Sequence, residues 1–241
     1  MADYPQELLD PDETRRISVA VKALDPAPRS HRWGHMSLCV LDATYSINLD
    51  YDSVVSPLVH RYARHAKLSS VLISATQPPE SISPRNDEQS LSEFLDSIAE
   101  ITDEELAAAV LKSRTRTSTR SGVLKSTAVR QIAQTLVDEG IERLEDVPGL
   151  LLDLKRVASL EARLNRIKGA GNAGVRTSYL WMVAGDEDHV KPDRHVLCWL
   201  ERVIQRPVTV LAARHLLSAV ADELGCSAWS VDHAIWNDMA R

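Results

Sequence analysis

The sequence predicts an all-α fold. Apolar residues recur at three- and four-residue spacing through most of its 241 residues. No stretch alternates polar and apolar residues with a period of two over a useful length, and no hairpin turn is flanked by such runs. Helix-cap residues stand where the periodicity starts or stops, as at Thr102, Gly140 and Asp193. Hydrophobic residues make up 44% of the chain with a single Phe, so the core should be aliphatic and large enough for one domain or two small lobes.

The elements follow in order. Pro5–Leu24 opens as a polar leader and passes into a short amphipathic stretch. Two prolines make Asp25–Ser30 a turn. Met36–Tyr45 is an apolar run fit for a buried helix, and Asp42 sits inside it. A carboxylate there needs a partner, which makes it either a structural pair or part of a pocket. Asp52–Ala66 carries Val54, Val55, Leu58, Val59 and Tyr62 at helical spacing. Ala75–Glu88 is rich in Pro and Ser and reads as a loop. Leu91–Ile101 is helical through Leu91, Phe94, Leu95 and Ile98. Thr102, with Glu105 three residues on, forms a capping box for a helix to about Leu111.

Ser113–Gly122 has no apolar face and should be a loop. Lys125–Glu139 is an amphipathic helix closed by Gly140, and Leu150–Leu164 is another. Arg176–Ala184 is apolar and helical, stopping at Gly185. His195–Gln205, ended by Pro207, then Thr209–Leu224 and Ser230–Ala240 complete the chain.

The formal net charge is −6, but its distribution is polarised. Lys112, Arg114, Arg116, Arg120, Lys125 and Arg130 fall in a stretch without acids. Lys155, Arg156, Arg163, Arg166, Lys168 and Arg176 fall in another with one acid, Glu161. The acids gather over Asp87–Glu105 and Asp138–Asp146. A basic face of this kind suits phosphate binding. Cys39, Cys198 and Cys226 are far apart and form no CxxC pair, so zinc and iron–sulfur sites are not expected and three reduced, buried thiols are. His31 and His35 lack a third ligand, so no metal or other cofactor is expected. Met1–Asp10 lacks the basic and apolar regions of a signal peptide, and no apolar run reaches a membrane span, which points to the cytoplasm.

One segment carries more chemistry than the rest. Ile167-Lys168-Gly169-Ala170-Gly171 lies between two helices. Gly-x-Gly permits a tight turn with positive φ and leaves backbone N–H groups uncovered at the start of the next helix. Lys168, Arg166 and Arg176 add positive charge, which suits a phosphate. Pro192 fits a loop just before a helix, and Asp193 is a natural N-cap. Taken separately, the glycines fit a plain interhelical turn and Asp193 a plain cap.

Together, over about residues 125–200, these features resemble the helix–hairpin–helix superfamily of DNA glycosylases. Its members carry a Leu-Pro-Gly-Val-Gly hairpin, a helix, then Val-Asp-Thr-His-Val. Here the hairpin is followed by Pro192-Asp193-Arg194-His195-Val196. The resemblance extends more loosely to Ser37–Ser46 and the last helix. It implies two helical lobes flanking a DNA-binding groove, one built from residues 1–35, 36–66 and 200–241, the other from residues 90–199. It also implies double-stranded DNA as partner, with Asp193 as the catalytic carboxylate. Lys168, Gly169, Gly171, Arg176, Arg120 and Lys125 are then the expected phosphate contacts, with Arg114 and Arg116 beside them.

Tyr45, Tyr51, Trp181 and Trp199 are the candidates for a base pocket, the two tryptophans reading more readily as core. Asn48 or Leu49, where the apolar Met36–Tyr45 helix breaks into polar residues, could fill the gap left by a flipped base. Two departures stand out. Lys168 replaces the usual Pro. The slot of the catalytic lysine of bifunctional members falls on Ala173 or Arg176, so base removal without strand cleavage is expected. The target could be an alkylated purine, as in DNA repair, or a hypermodified phage cytosine such as glucosylated hydroxymethylcytosine, as in antiviral defence. A non-catalytic DNA-binding module and a scaffold for an acidic partner are the competing readings. A monomer is expected.

Overall fold

Twelve α-helices and one antiparallel ribbon form the regular structure of residues 10–75 and 85–239, the residues that the computed structural model describes. The chain divides into two units. One is His31–Gly185; the other joins Met1–Ser30 to Asp186–Arg241. Each has its own apolar core.

The unit His31–Gly185 is built around α2 (Met36–Tyr45), all ten residues of which are buried. Around it pack α3 (Ser56–His65), α4 (Leu91–Ser97), α6 (Lys125–Val137) and α9 (Val175–Val183). This is why the residues from 36 to 66 belong with the hairpin segment, whereas the resemblance implies a lobe that groups them with the chain ends. A ten-residue helix without a polar face must be enclosed from several sides, and helices from as far along the chain as α9 do that. Residues 186–199, expected in the hairpin lobe, belong instead to the unit of the chain ends.

Two strands went unforeseen. β1 (His31–Trp33) pairs with β2 (Leu72–Ser74) in antiparallel register, His31 opposite Ser74 and Trp33 opposite Leu72. Three residues are too few to display a period of two. The Asp52–Ala66 helix begins with a π-helical turn at Tyr51–Val55, capped by Asp50. The capping box of Thr102 and Glu105 is present and starts α5 (Asp103–Glu105), which continues as a π-helical turn to Val110. Ser90 and Glu93 form a second box on α4.

The helix expected over Leu150–Leu164 is two helices, α7 (Asp146–Leu152) and α8 (Leu154–Arg166). Asp153 breaks the run, and its side chain caps the second by accepting from the Arg156 N–H at 3.1 Å. Most of the loop expected over Ala75–Glu88, and the leader up to residue 9, lie outside the described residues.

The other unit holds α1 (Pro11–Lys22), α10 (Arg194–Ile204), α11 (Val210–Leu224) and α12 (Ala228–Met239). Ile17, Val196, Trp199, Leu200, Leu217 and Ile235 fill its core. Trp199 is therefore a core residue, its indole N–H reaching Asp238 at 3.2 Å. Of the cysteines, Cys39 is buried and Cys226 half-buried, but Cys198 is exposed, against the expectation of three buried thiols. No helix among the described residues is long and apolar enough to cross a membrane.

Candidate functional site

The hairpin forms as the glycines require. α8 ends at Arg166, Gly169 and Gly171 take φ of +90° and +80°, and α9 starts at Val175. Gly169 is needed twice over, because a Cβ there would also lie 2.7 Å from the Thr117 side chain. Thr117 belongs to the basic loop between Lys112 and Leu124. That loop folds back on itself through Thr117 N–H to Val123 O and Lys125 N–H to Thr115 O. Lys168 Nζ donates to Ser121 O at 2.9 Å, joining hairpin and loop a second time. Lys168 and Ser121 stand 47 residues apart in sequence, and through them the two basic stretches meet at one place. Lys168, Arg166, Arg120, Arg116 and Arg114 are exposed there. α9 has no side-chain cap, and the Arg176 N–H in its first turn donates to Ala170 O of the hairpin at 2.9 Å.

Two expected phosphate contacts are reassigned by their burial. Arg176 is 2% exposed, and its guanidinium donates to Leu164 O at 2.6 Å, Lys168 O at 3.0 Å and Ile167 O at 3.2 Å. It satisfies the carbonyls left over where α8 ends, so it braces the hairpin from inside. Burial pushes it down to about 10. Lys125 is 4% exposed and donates to Tyr45 O at 3.1 Å and Ile47 O at 2.6 Å, closing the C-terminus of α2. Other cations of the basic stretches are also committed. Arg130 pairs with Asp103, and Arg156 and Arg163 both pair with Glu139.

The aromatic candidates are mostly core. Trp181 is fully buried, its indole N–H on Glu161 at 2.8 Å. Tyr45 is fully buried too, and its hydroxyl has no partner among the described residues. Leu49 packs on the core, so its side chain does not project from the loop. Asn48 differs: it is exposed at the loop tip with φ of +60°. Asparagine tolerates that left-handed conformation better than other side chains, and the turn aims the residue outward.

Tyr51 belongs to a buried network that answers the question of Asp42. One carboxylate oxygen of Asp42 accepts from the Trp33 indole at 2.6 Å and the Tyr51 hydroxyl at 3.2 Å. The other accepts from Ser46 at 2.6 Å. Tyr179 bonds to the same group, and burial beside this carboxylate pushes the Tyr51 and Tyr179 hydroxyls far up. The network ties β1, α2, the π-helical turn and α9 together.

Every expected site residue named so far except Trp199 lies in the unit His31–Gly185; Asp193 lies in the unit of the chain ends. It is the N-cap of α10, and its side chain accepts from the N–H of His195 at 2.8 Å and of Val196 at 3.3 Å. Its own N–H donates to Lys191 O at 2.6 Å across Pro192, a γ-type turn that suits the fixed φ of proline.

The sequence reading missed Asp232 of α12, 4% exposed, which accepts from the Lys191 N–H at 2.8 Å. Burial and the nearby Asp193 carboxylate push Asp232 up to about 8. Its signal was legible, since it interrupts an apolar stripe of Ala228, Val231 and Ile235.

A protein family described as a domain of unknown function (DUF8548) matches residues 15–240. No curated protein and no solved structure matches the chain.

Proposed function

The chain belongs to that family of unknown function, and we propose that it acts as a monofunctional DNA glycosylase. The reading is carried by one observation. α8 and α9 are joined by a hairpin whose glycines both take positive φ, and a basic loop is fastened to that hairpin. The chain then continues to an aspartate held at a helix N-terminus. The hairpin supplies backbone N–H groups and, with Lys168, Arg166 and Arg120, binds the phosphates of double-stranded DNA.

The base leaves the stack to be cut from its sugar. As the N-glycosidic bond breaks, positive charge develops on the deoxyribose. The Asp193 side chain stabilises that charge and orients, or takes a proton from, the attacking water. Asn48, exposed at its loop tip, enters the gap in the duplex. Neither position that the lyase lysine of bifunctional helix–hairpin–helix glycosylases would take holds one. Ala173 has no amine, and Arg176 is buried against three carbonyls. The product is therefore an intact strand with an abasic site. The base removed is an alkylated purine or a hypermodified cytosine, and the protein serves repair or antiviral defence accordingly.

The test uses duplexes carrying each class of base. Strands should break only after alkali, and borohydride should trap no protein on DNA. Trapping, or nicking before alkali, would overturn the monofunctional assignment. Salt-sensitive binding with no abasic site formed would leave a non-catalytic DNA-binding module.

A further inference from the structure

We infer that Asp232 is the positioning residue of the Asp193 site, fixing the turn from which that carboxylate is presented. The inference deepens the glycosylase reading and rests on it for its catalytic part. Three consecutive residues form the turn. Lys191 O accepts the Asp193 N–H at 2.6 Å, which closes the turn around Pro192. The other side of the Lys191 residue is held from a distant helix, because its N–H donates to Asp232 Oδ2 at 2.8 Å. Pro192 has no N–H, so Lys191 and Asp193 carry the turn's backbone donors.

The Asp193 N–H is used within the turn. The Lys191 N–H ties the turn to α12, and Asp232 is its acceptor. Asp232 stands on the apolar stripe of α12 and is itself 4% exposed, so no water replaces it readily. A carboxyl group on an apolar stripe is costly. Leucine would fill the stripe and leave the Lys191 N–H without an acceptor. Asparagine keeps a carbonyl oxygen at the same reach. The charged side chains that bear on Asp232 are Lys191 and Asp193, both from the turn.

A small misplacement of a reacting group costs about 100-fold in rate. Asp232→Leu should therefore lower kcat by about 10- to 100-fold, with KM for DNA nearly unchanged. Asp232→Asn should keep kcat near wild type. Amide hydrogen exchange gives a second readout that needs no activity. The Lys191 amide should be protected in wild type and D232N and should lose at least about tenfold of that protection in D232L.

A wild-type protein that releases base, is silenced by D193N and keeps full kcat in D232L would overturn the inference. So would equal loss in D232N and D232L. If wild type releases no base from any duplex, the glycosylase reading fails, and exchange alone decides the positioning: an unprotected Lys191 amide in wild type, or unchanged protection in D232L, overturns it. If D232L does not fold, D232N carries the test, and loss of kcat or of Lys191 protection there overturns the inference.

Discussion

Replacing Arg176 by leucine separates a brace from a phosphate contact. The guanidinium gives hydrogen bonds to three carbonyls, those of Leu164, Ile167 and Lys168, at 2.6 to 3.2 Å. A bond to a charged donor contributes about 1.5–3 kcal/mol, and an orphaned buried acceptor costs about 1–3 kcal/mol. Desolvation offsets part of this, as the depression of the guanidinium to about 10 indicates. A net loss of about 3 kcal/mol remains, equivalent to about 6–12 °C in Tm for a protein of this size. Calorimetry of the protein without DNA reads it. Lys168→Gln is the control, because the Lys168 side chain is exposed and donates to Ser121 O in the basic loop. It should leave Tm within about 2 °C and lower the slope of log K against log salt by about 1. An Arg176→Leu variant with wild-type Tm and a reduced salt slope would refute the argument, since it would place Arg176 on the phosphates.

The hairpin glycines should respond unequally. Gly169→Ala meets Thr117 as well as backbone strain and should cost about 2–4 kcal/mol, whereas Gly171→Ala meets Val175 Cβ at an ordinary 3.5 Å and should cost about 1–2 kcal/mol. Equal urea midpoints for the two variants would contradict the packing of hairpin on loop. Asn48→Gly keeps the left-handed turn and removes the side chain, so stability should hold while base release slows about tenfold or more; unchanged release would exclude Asn48 from the duplex.

The pH dependence has a definite sign. Asp232 and Glu88 are pushed up to about 8 and about 7 by burial, so between about pH 4 and those values the folded chain holds more protons than the unfolded one. Their contribution is full below about pH 4 and is lost as pH rises through 7 and 8, by a few kcal/mol. Asp232→Asn should flatten that decline in urea midpoints between about pH 5 and about pH 9, and an unchanged slope would contradict it.

Much of the helical order was legible because helices advertise themselves locally. Met36–Tyr45 follows from its apolar run and the Thr102 box from capping residues alone. The division into units was not legible, because it depends on which helices enclose α2, and that is a property of packing across the chain. Within the candidate site, the hairpin glycines and the cap at Asp193 could be read from residue type. The roles of Arg176 and Lys125 could not. A basic residue in a basic stretch looks the same whether it faces solvent or a set of unpaired carbonyls, and only burial distinguishes the two. Asp42 and Asp232 show the converse. A carboxylate on an apolar face signals a buried polar contact, but its partners come from distant elements: the Trp33 indole for Asp42 and the Lys191 amide for Asp232.

The proposed function rests on Asp193 cutting a base from DNA. Its most direct test is mass spectrometry of the free base released, under single-turnover conditions, by wild type and by Asp193→Asn from duplexes carrying alkylated purines or glucosylated hydroxymethylcytosine. The account predicts release of an intact base by wild type and loss of about 1,000-fold or more in D193N, with DNA affinity retained. Release by D193N at the wild-type rate would contradict it.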